Sequence, residues 1–233
     1  PPRRSSDLGR FILVTDLAAI AREFAVSGGA VSFSPSRNVS PGQHIPAIFQ
    51  LDGQNIFASF LWGLIPFWAK DPSIGARLIN ARAETIAQKP SFKNAFAHRR
   101  CLIPADGFYE WKPEGKKKIP YEFFLKSQKP FALAGLYERW IGPDSKPVDT
   151  CTILTTEAND LVKPVHDRMP VIVPQEAHGV WLDAGRRDAA ALKPLLGPYP
   201  ADAMDCRKAD LGGAAPADFK RRASNTFRHI QRN

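Results

Sequence analysis

The sequence predicts an α+β fold in which antiparallel or mixed, curved sheets form a barrel-like core with short helices at its periphery. Three observations predict it. Short apolar, β-branched and aromatic runs recur along the chain, mostly in hairpin order and separated by turn signals. The 21 prolines favour turns and broken strands over long helices. Strands do not alternate regularly with helices, and no glycine-rich phosphate loop follows any of them. At 233 residues and 44% hydrophobic the chain can bury a sizeable core. With no internal repeat and no linker to divide it, a single domain over residues 1–233 is expected.

The elements follow in order. Leu17, Ile20, Ala21 and Phe24 form a helical stripe over Asp16 to Phe24, with Thr15 or Asp16 as N-cap and Gly28-Gly29 closing the segment. Ile45 to Leu51 and Asn55 to Leu61 read as a hairpin turning at Asp52-Gly53. Trp62 to Trp68, aromatic and broken by Pro66, is a loop or strand edge. Short helices are expected over Ala83 to Gln88 and Ser91 to Ala97, the second capped by Ser91. Cys101 to Ile103 and Phe108 to Lys112 are strands with Pro104 to Gly107 turning between them. Tyr121 to Leu125 and Phe131 to Leu136 make a second hairpin around Lys126 to Lys129. Thr150 to Thr155 is a strand, Glu157 to Val162 a short helix, Pro170 to Val173 a strand. Gln175 to Leu182 and Arg187 to Leu195 are late helices. Gly197 to Asn233, rich in Gly, Ala and Pro, has only a weak apolar pattern.

The formal net charge is +9, so nucleic acid is the first partner to consider. The charge is uneven. Four lysines lie between Lys112 and Lys118 around a Pro-Glu-Gly turn, and Lys220, Arg221, Arg222, Arg228 and Arg232 follow one another with no acid between them. Taken singly, each cluster reads as a solvated loop or a loose tail. Cys101, Cys151 and Cys206 are few, odd in number and far apart, which argues for a reducing compartment and against a disulfide frame or zinc. The histidines show no metal-ligand spacing, no cofactor motif is present, and no apolar run is long enough to span a bilayer.

Polar groups interrupt otherwise apolar, strand-like segments at Leu78 to Thr85, Ala105 to Trp111 and Val165 to Pro170. Burying such groups costs free energy unless they are paired or used. Asn80 can hold a sugar hydroxyl or a carbonyl oxygen, or fix its own turn. Arg82 can clamp a phosphate or pair with Glu84 or another acid. Glu110 lies between Tyr109 and Trp111, so on a strand it faces away from both. In an apolar surround it would suit general acid/base work, and on a half-exposed sheet it would be an ordinary outward Glu. His166, followed by Asp167 and Arg168, can shuttle protons or serve structure. Trp62 reads as core. Trp68, before Ala69-Lys70-Asp71, can stack on a base.

In order along the chain come Gly9-Arg10-Phe11, Asn38 to Gly42, Trp62 to Trp68, Asn80-Ala81-Arg82-Ala83-Glu84-Thr85, Gly107 to Trp111, Ala134 to Trp140, Thr155 to Asn159 and His166-Asp167-Arg168-Met169-Pro170. This ordered set resembles the SRAP family, the SOS-response-associated peptidases or abasic-site processing proteins, from about residue 9 to 183. The resemblance implies a protein of the cytoplasm or nucleoid, with monomer favoured, that binds single-stranded or junction DNA at abasic sites and needs no cofactor. In the family an N-terminal Cys, uncovered by self-removal of the initiator Met, closes a thiazolidine ring on the open-chain sugar aldehyde with its amine and thiol. By position Asn80 holds the sugar and the Cys surroundings, Glu110 acts as acid/base, and His166 assists sugar opening and crosslink reversal. Arg10, Arg82 and Arg168 fall at phosphate contacts, Trp68 at a nucleotide, and Asn38 to Gly42 at a loop supporting the DNA junction.

The chain departs from the family in two places. Family members open Cys-Gly-Arg-Phe, whereas here Leu8-Gly9-Arg10-Phe11 follows seven residues. Leu8 has no nucleophile, and its nitrogen is an amide. Cys101, Cys151 and Cys206 stand elsewhere. The family's terminal return strand is also poorly matched by Met204-Asp205-Cys206-Arg207-Lys208. The expected function is therefore abasic-site DNA binding with covalent capture lost. The alternatives are a peptidase or hydrolase using Glu110 and His166, and a non-catalytic scaffold.

Overall fold

A computed structural model describes residues 8–211 and 217–232 of the chain, the second stretch with side chains over 223–230. The expectations for Pro1 to Asp7, and for the side chains of Lys220, Arg221, Arg222 and Arg232, lie outside the described residues. Strands β1 (Phe11–Leu13), β2 (Val26–Gly28), β3 (Ser36–Val39), β4 (His44–Leu51), β5 (Gln54–Trp62), β6 (Asn80–Arg82) and β7 (Arg100–Ala105) come first. Strands β8 (Gly107–Glu114), β9 (Lys117–Leu125), β10 (Phe131–Ile141), β11 (Pro147–Glu157), β12 (Arg168–Pro170), β13 (Ile172–Val173) and β14 (Met204–Lys208) follow. The helices are α1 (Leu17–Glu23), α2 (Lys93–His98), α3 (His178–Leu182), α4 (Ala189–Leu192) and α5 (Ala217–Arg232).

The expected barrel is present. Antiparallel ladders join β5 to β4, β4 to β7, β7 to β10 and β10 to β11. A parallel seam, Thr150 beside Leu61 and Cys151 beside Trp62, then joins β11 back to β5 and closes the ring. A second sheet, in the order β14-β9-β8-β1-β3, lies outside that ring. Apolar side chains of both, among them Phe11, Leu13, Phe108 and Phe123 from the second sheet and Ile45, Ile48, Leu102 and Ile153 from the ring, share one core cluster. Burying them is the main favourable term in holding the two sheets together.

Several local readings hold. Asp16 caps α1, accepting from Ala19 N at 2.9 Å. The β4–β5 hairpin turns at Asp52 and Gly53, whose φ of 49° and 78° are those of a tight hairpin turn. Trp62 is fully buried, as are the Cys101 and Cys151 thiols, and all three cysteines are free.

Others are corrected. The segments around Pro104 to Gly107 and Lys126 to Lys129 are not hairpin turns but crossings between the ring and the second sheet. β7 pairs with β10 and β4, and β8 pairs with β1 and β9. A run of apolar residues specifies a strand, whereas its neighbour is chosen by the core it must cover. Ser91 is not the cap of α2; Phe92 holds that position with no side-chain bond. Ala83 to Gln88 forms only a 3-10 turn over Ala83–Thr85.

Glu157 to Val162 is not helical. Glu157 ends β11, and Asn159 Oδ1 accepts from Leu161 N and Val162 N at 3.1 and 3.0 Å, folding a turn instead. Gly28 belongs to β2 rather than ending the first helix, which stops at Phe24. Met204 to Lys208, poorly matched in sequence, is nonetheless a return strand paired with β9 from Met204–Leu125 to Lys208–Tyr121. The basic C-terminal stretch is a helix, α5, not a loose tail.

Candidate functional site

The site is assembled where the second sheet meets the ring. β1 lies antiparallel to β8, with Phe11 opposite Phe108, and Tyr109 N donates to Arg10 O at 3.1 Å. Continuing that register brings Gly9 opposite Glu110. Asp106 fixes the other end of β1: its carboxylate accepts from Val14 N, Thr15 N and Thr15 Oγ1 at 2.6, 2.9 and 2.6 Å. Leu8 is fully buried where the chain enters this arrangement.

Asn80 opens β6, which runs parallel to β11 with Asn80 beside Ile153. Its Nδ2 donates to Leu8 O at 2.6 Å. Its Oδ1 is buried and accepts no hydrogen bond among the described residues. An unsatisfied buried acceptor of this kind suits a ligand hydroxyl or amine.

Glu110 points away from Tyr109 and Trp111, as strand alternation requires. Those two rings pack with Ile12 on one face of the sheet, while Phe108 and Phe123 stack in the core on the other. Glu110 is 2% exposed. Its Oε2 lies 3.8 Å from His166 Nδ1, which is also 3.5 Å from Asp167 Oδ1. Nδ1 lies 3.1 Å from both Arg168 N and Arg168 O, accepting from the one or donating to the other according to the ring's tautomer. His166 is placed by the Asn159 turn, through His166 N to Val162 O at 3.0 Å. A buried carboxylate and an imidazole at this separation can exchange protons with a group held between or beside them.

The arginines differ in setting. Arg168 is buried, and its guanidinium is bidentate to Glu84 at 2.7 and 3.0 Å with a further bond to Thr155 O at 2.7 Å. Glu84 therefore pairs with Arg168, a partner not weighed from sequence, and the charge of Arg82 acts on the same carboxyl. Burial pushes the Glu84 carboxyl up, but the hydrogen bond and charge of Arg168 outweigh it and leave the group below its ordinary value. Arg82 is exposed. Arg10 is 3% exposed, donates to Asn38 Oδ1 at 3.0 Å and lies 5.7 Å from the Trp111 ring centroid. Asn38 is on strand β3 rather than in a loop.

Phe67 and Trp68 are 56% and 48% exposed on the segment between β5 and β6. Sequence reasoning missed the supports, Thr155 and Asn159, although both lie in the quoted Thr155 to Asn159 stretch. A Thr-Thr pair at the end of an apolar strand and an Asn before a turn were the available signals. Among the described residues, no three His, Cys, Asp or Glu side chains converge to hold a metal, and no helix is long and apolar enough to cross a membrane.

Known proteins are similar to this chain. Residues 8–210 match the family model "SOS response associated peptidase (SRAP)". The abasic site processing protein YoqW of Bacillus subtilis is 46% identical over 200 residues, 84% of this chain and 89% of that protein. HMCES of Xenopus tropicalis, also named an abasic site processing protein, is 30% identical over 189 residues, 68% of this chain and 56% of that protein. A crystal structure of a protein from Bacteroides thetaiotaomicron superposes with a TM-score of 0.82 at 29% identity, covering 89% of this chain and 95% of that one. The match begins at Leu8, the residue whose carbonyl Asn80 grips, and runs through Glu110 and His166 to the end of the return strand: the chain belongs to the SRAP family.

Proposed function

We propose that the protein processes abasic DNA by binding the baseless sugar in the pocket around Leu8, without the covalent step its family implies. The carrying observation is the buried Glu110–His166 pair beside Leu8, with Asn80 holding the Leu8 carbonyl and keeping its own Oδ1 unsatisfied. In this reading Asn80 Oδ1 accepts from a sugar hydroxyl. Glu110 and His166 move protons at the anomeric oxygen and so favour the ring-opened aldehyde. Leu8 offers neither thiol nor amine, so the aldehyde is not captured there.

Arg10 and Arg82 contact flanking phosphates, with Asn38 orienting Arg10. Arg168, engaged by Glu84 and Thr155, positions His166 and adds positive charge. Exposed Trp68 supports a preference for single-stranded or junction DNA, whose unpaired bases can stack on it. The protein acts as a monomer in the cytoplasm or at the nucleoid.

The test is incubation with an abasic single-stranded oligonucleotide, run on native and denaturing gels. The expected result is a native shift stronger than for intact DNA, weakened in Glu110→Gln and His166→Ala, and no adduct after heating in denaturant. A heat-stable band would overturn the loss of covalent capture. No preference for DNA over a neutral polymer would overturn the binding.

A further inference from the structure

Helix α5 lies beyond the 8–210 stretch that matches the family, yet it is built into the body of the protein. Ala223 and Phe227, both buried, and Ile230 fall at helical spacing and pack on Leu61, Ile65, Ala69 and Trp140. The Phe227 ring occupies a notch that only glycine leaves open. A Cβ on Gly63 would stand 2.3 Å from the ring, and one on Gly75 2.4 Å. A Cβ on Gly42 would likewise stand 3.0 Å from Ala223 Cα. Gly42 ends the Asn38–Gly42 segment, and Gly63 and Gly75 bracket the segment bearing Phe67 and Trp68.

That second segment is held stiffly. Thr150 Oγ1 accepts from Ile65 N at 3.0 Å, Trp140 Nε1 donates to Ala69 O at 2.7 Å, and the Glu138 carboxylate accepts from Phe67 N. Two exposed aromatic rings thus stand on a fixed segment whose roots α5 packs against.

Among its described side chains, α5 turns polar groups outward. Asn225, Arg228 and His229 are exposed. The helix carries Lys220, Arg221, Arg222, Arg228 and Arg232 against one acid, Asp218. Helical spacing sets positions 221, 225, 228 and 232 in one row. A helix of this basic composition, seated against the roots of an exposed aromatic pair, fits a polyanion whose units carry stackable rings, a single nucleic-acid strand.

We propose that α5 is a phosphate-contacting element that carries the flanking strand of bound DNA past the abasic pocket. This rests on the reading above that the pocket binds abasic DNA. Binding of the full chain to a single-stranded oligonucleotide with one tetrahydrofuran abasic analogue is measured across a salt series. Wild type is compared with the triple variant Arg221→Gln/Arg228→Gln/Arg232→Gln and with Arg228→Gln alone. A lysine variant, Lys116→Gln/Lys117→Gln/Lys118→Gln, removes equal charge from the β8–β9 turn.

Losing three phosphate contacts lowers the slope of log affinity against log salt by about 2 units for single-stranded DNA, and the single variant by about a third of that. The ratio of abasic to intact affinity stays constant, because the pocket is untouched. Wild-type binding with an unchanged slope in both arginine variants would overturn the role of α5 and leave the pocket reading standing. An equal loss in the lysine variant would also overturn it, reducing the effect to net charge. Failure of wild type to bind the oligonucleotide would overturn the pocket reading, and the helix proposal with it.

Discussion

At residue 8 the backbone is held and the chemistry is missing. The carbonyl is gripped by Asn80 Nδ2, while the side chain is a fully buried leucine whose nitrogen is already in a peptide bond. Thiazolidine formation needs a thiol and a primary amine on one residue. Leu8→Cys in the full chain is therefore expected to give no heat-stable adduct with abasic DNA, whereas the same substitution in a chain beginning at that residue gives one on a denaturing gel. The Glu84–Arg168 pair makes a second residue-scale prediction. The Glu84 carboxyl is depressed below its ordinary 4.5 in the folded protein. Its contribution is therefore complete above about pH 4.5 and disappears as pH falls through the lower folded value. Glu84→Gln should lower stability at neutral pH, with the gap from wild type closing below about pH 4.5 in urea titrations. A gap independent of pH would contradict the pairing.

Among the elements, α5 and the segment from Gly63 to Gly75 depend on each other. Gly63 has φ of +139°, and any Cβ there would strike both the Phe227 ring and the Gly75 carbonyl. Gly63→Ala is expected to cost about 2 kcal/mol from backbone strain and overpacking together. Limited proteolysis should then release the C-terminal helix faster than in wild type, at unchanged cleavage of the β8–β9 turn. The glycines' purpose was not legible in sequence, because the residue that needs them, Phe227, lies more than a hundred positions away. For the same reason the weak apolar pattern of the C-terminal stretch concealed a docked helix: three small or apolar contacts suffice where the notch is already shaped. Strand β14 escaped notice because it is an edge strand, held by backbone bonds to β9 with only Met204 deeply buried.

For the whole molecule, the net charge of +9 and the closed ring belong to different levels of description. Charge was readable from composition, and under the proposed function it predicts a DNA affinity that falls with added salt. Curved antiparallel sheets with short helices were readable from short apolar runs, turn residues and proline content. So were Asn80, Glu110 and His166 as polar groups in apolar company, since local burial cost is written in local sequence. Strand partners were not. β7 and β8 are consecutive yet lie in different sheets, and β9 and β10 likewise, because register and neighbour are set by which face must meet the common core. The sequence by itself determined most of the strands, the charge, the family and the missing nucleophile. Only the tertiary structure decided that Glu110 of β8 and His166 of the Asn159 turn lie 3.8 Å apart, that Arg168 answers Glu84, and that a basic helix closes on three glycines. Those pairings join residues from 56 to more than a hundred positions apart, and only the packing of one sheet against a closed ring brings them together.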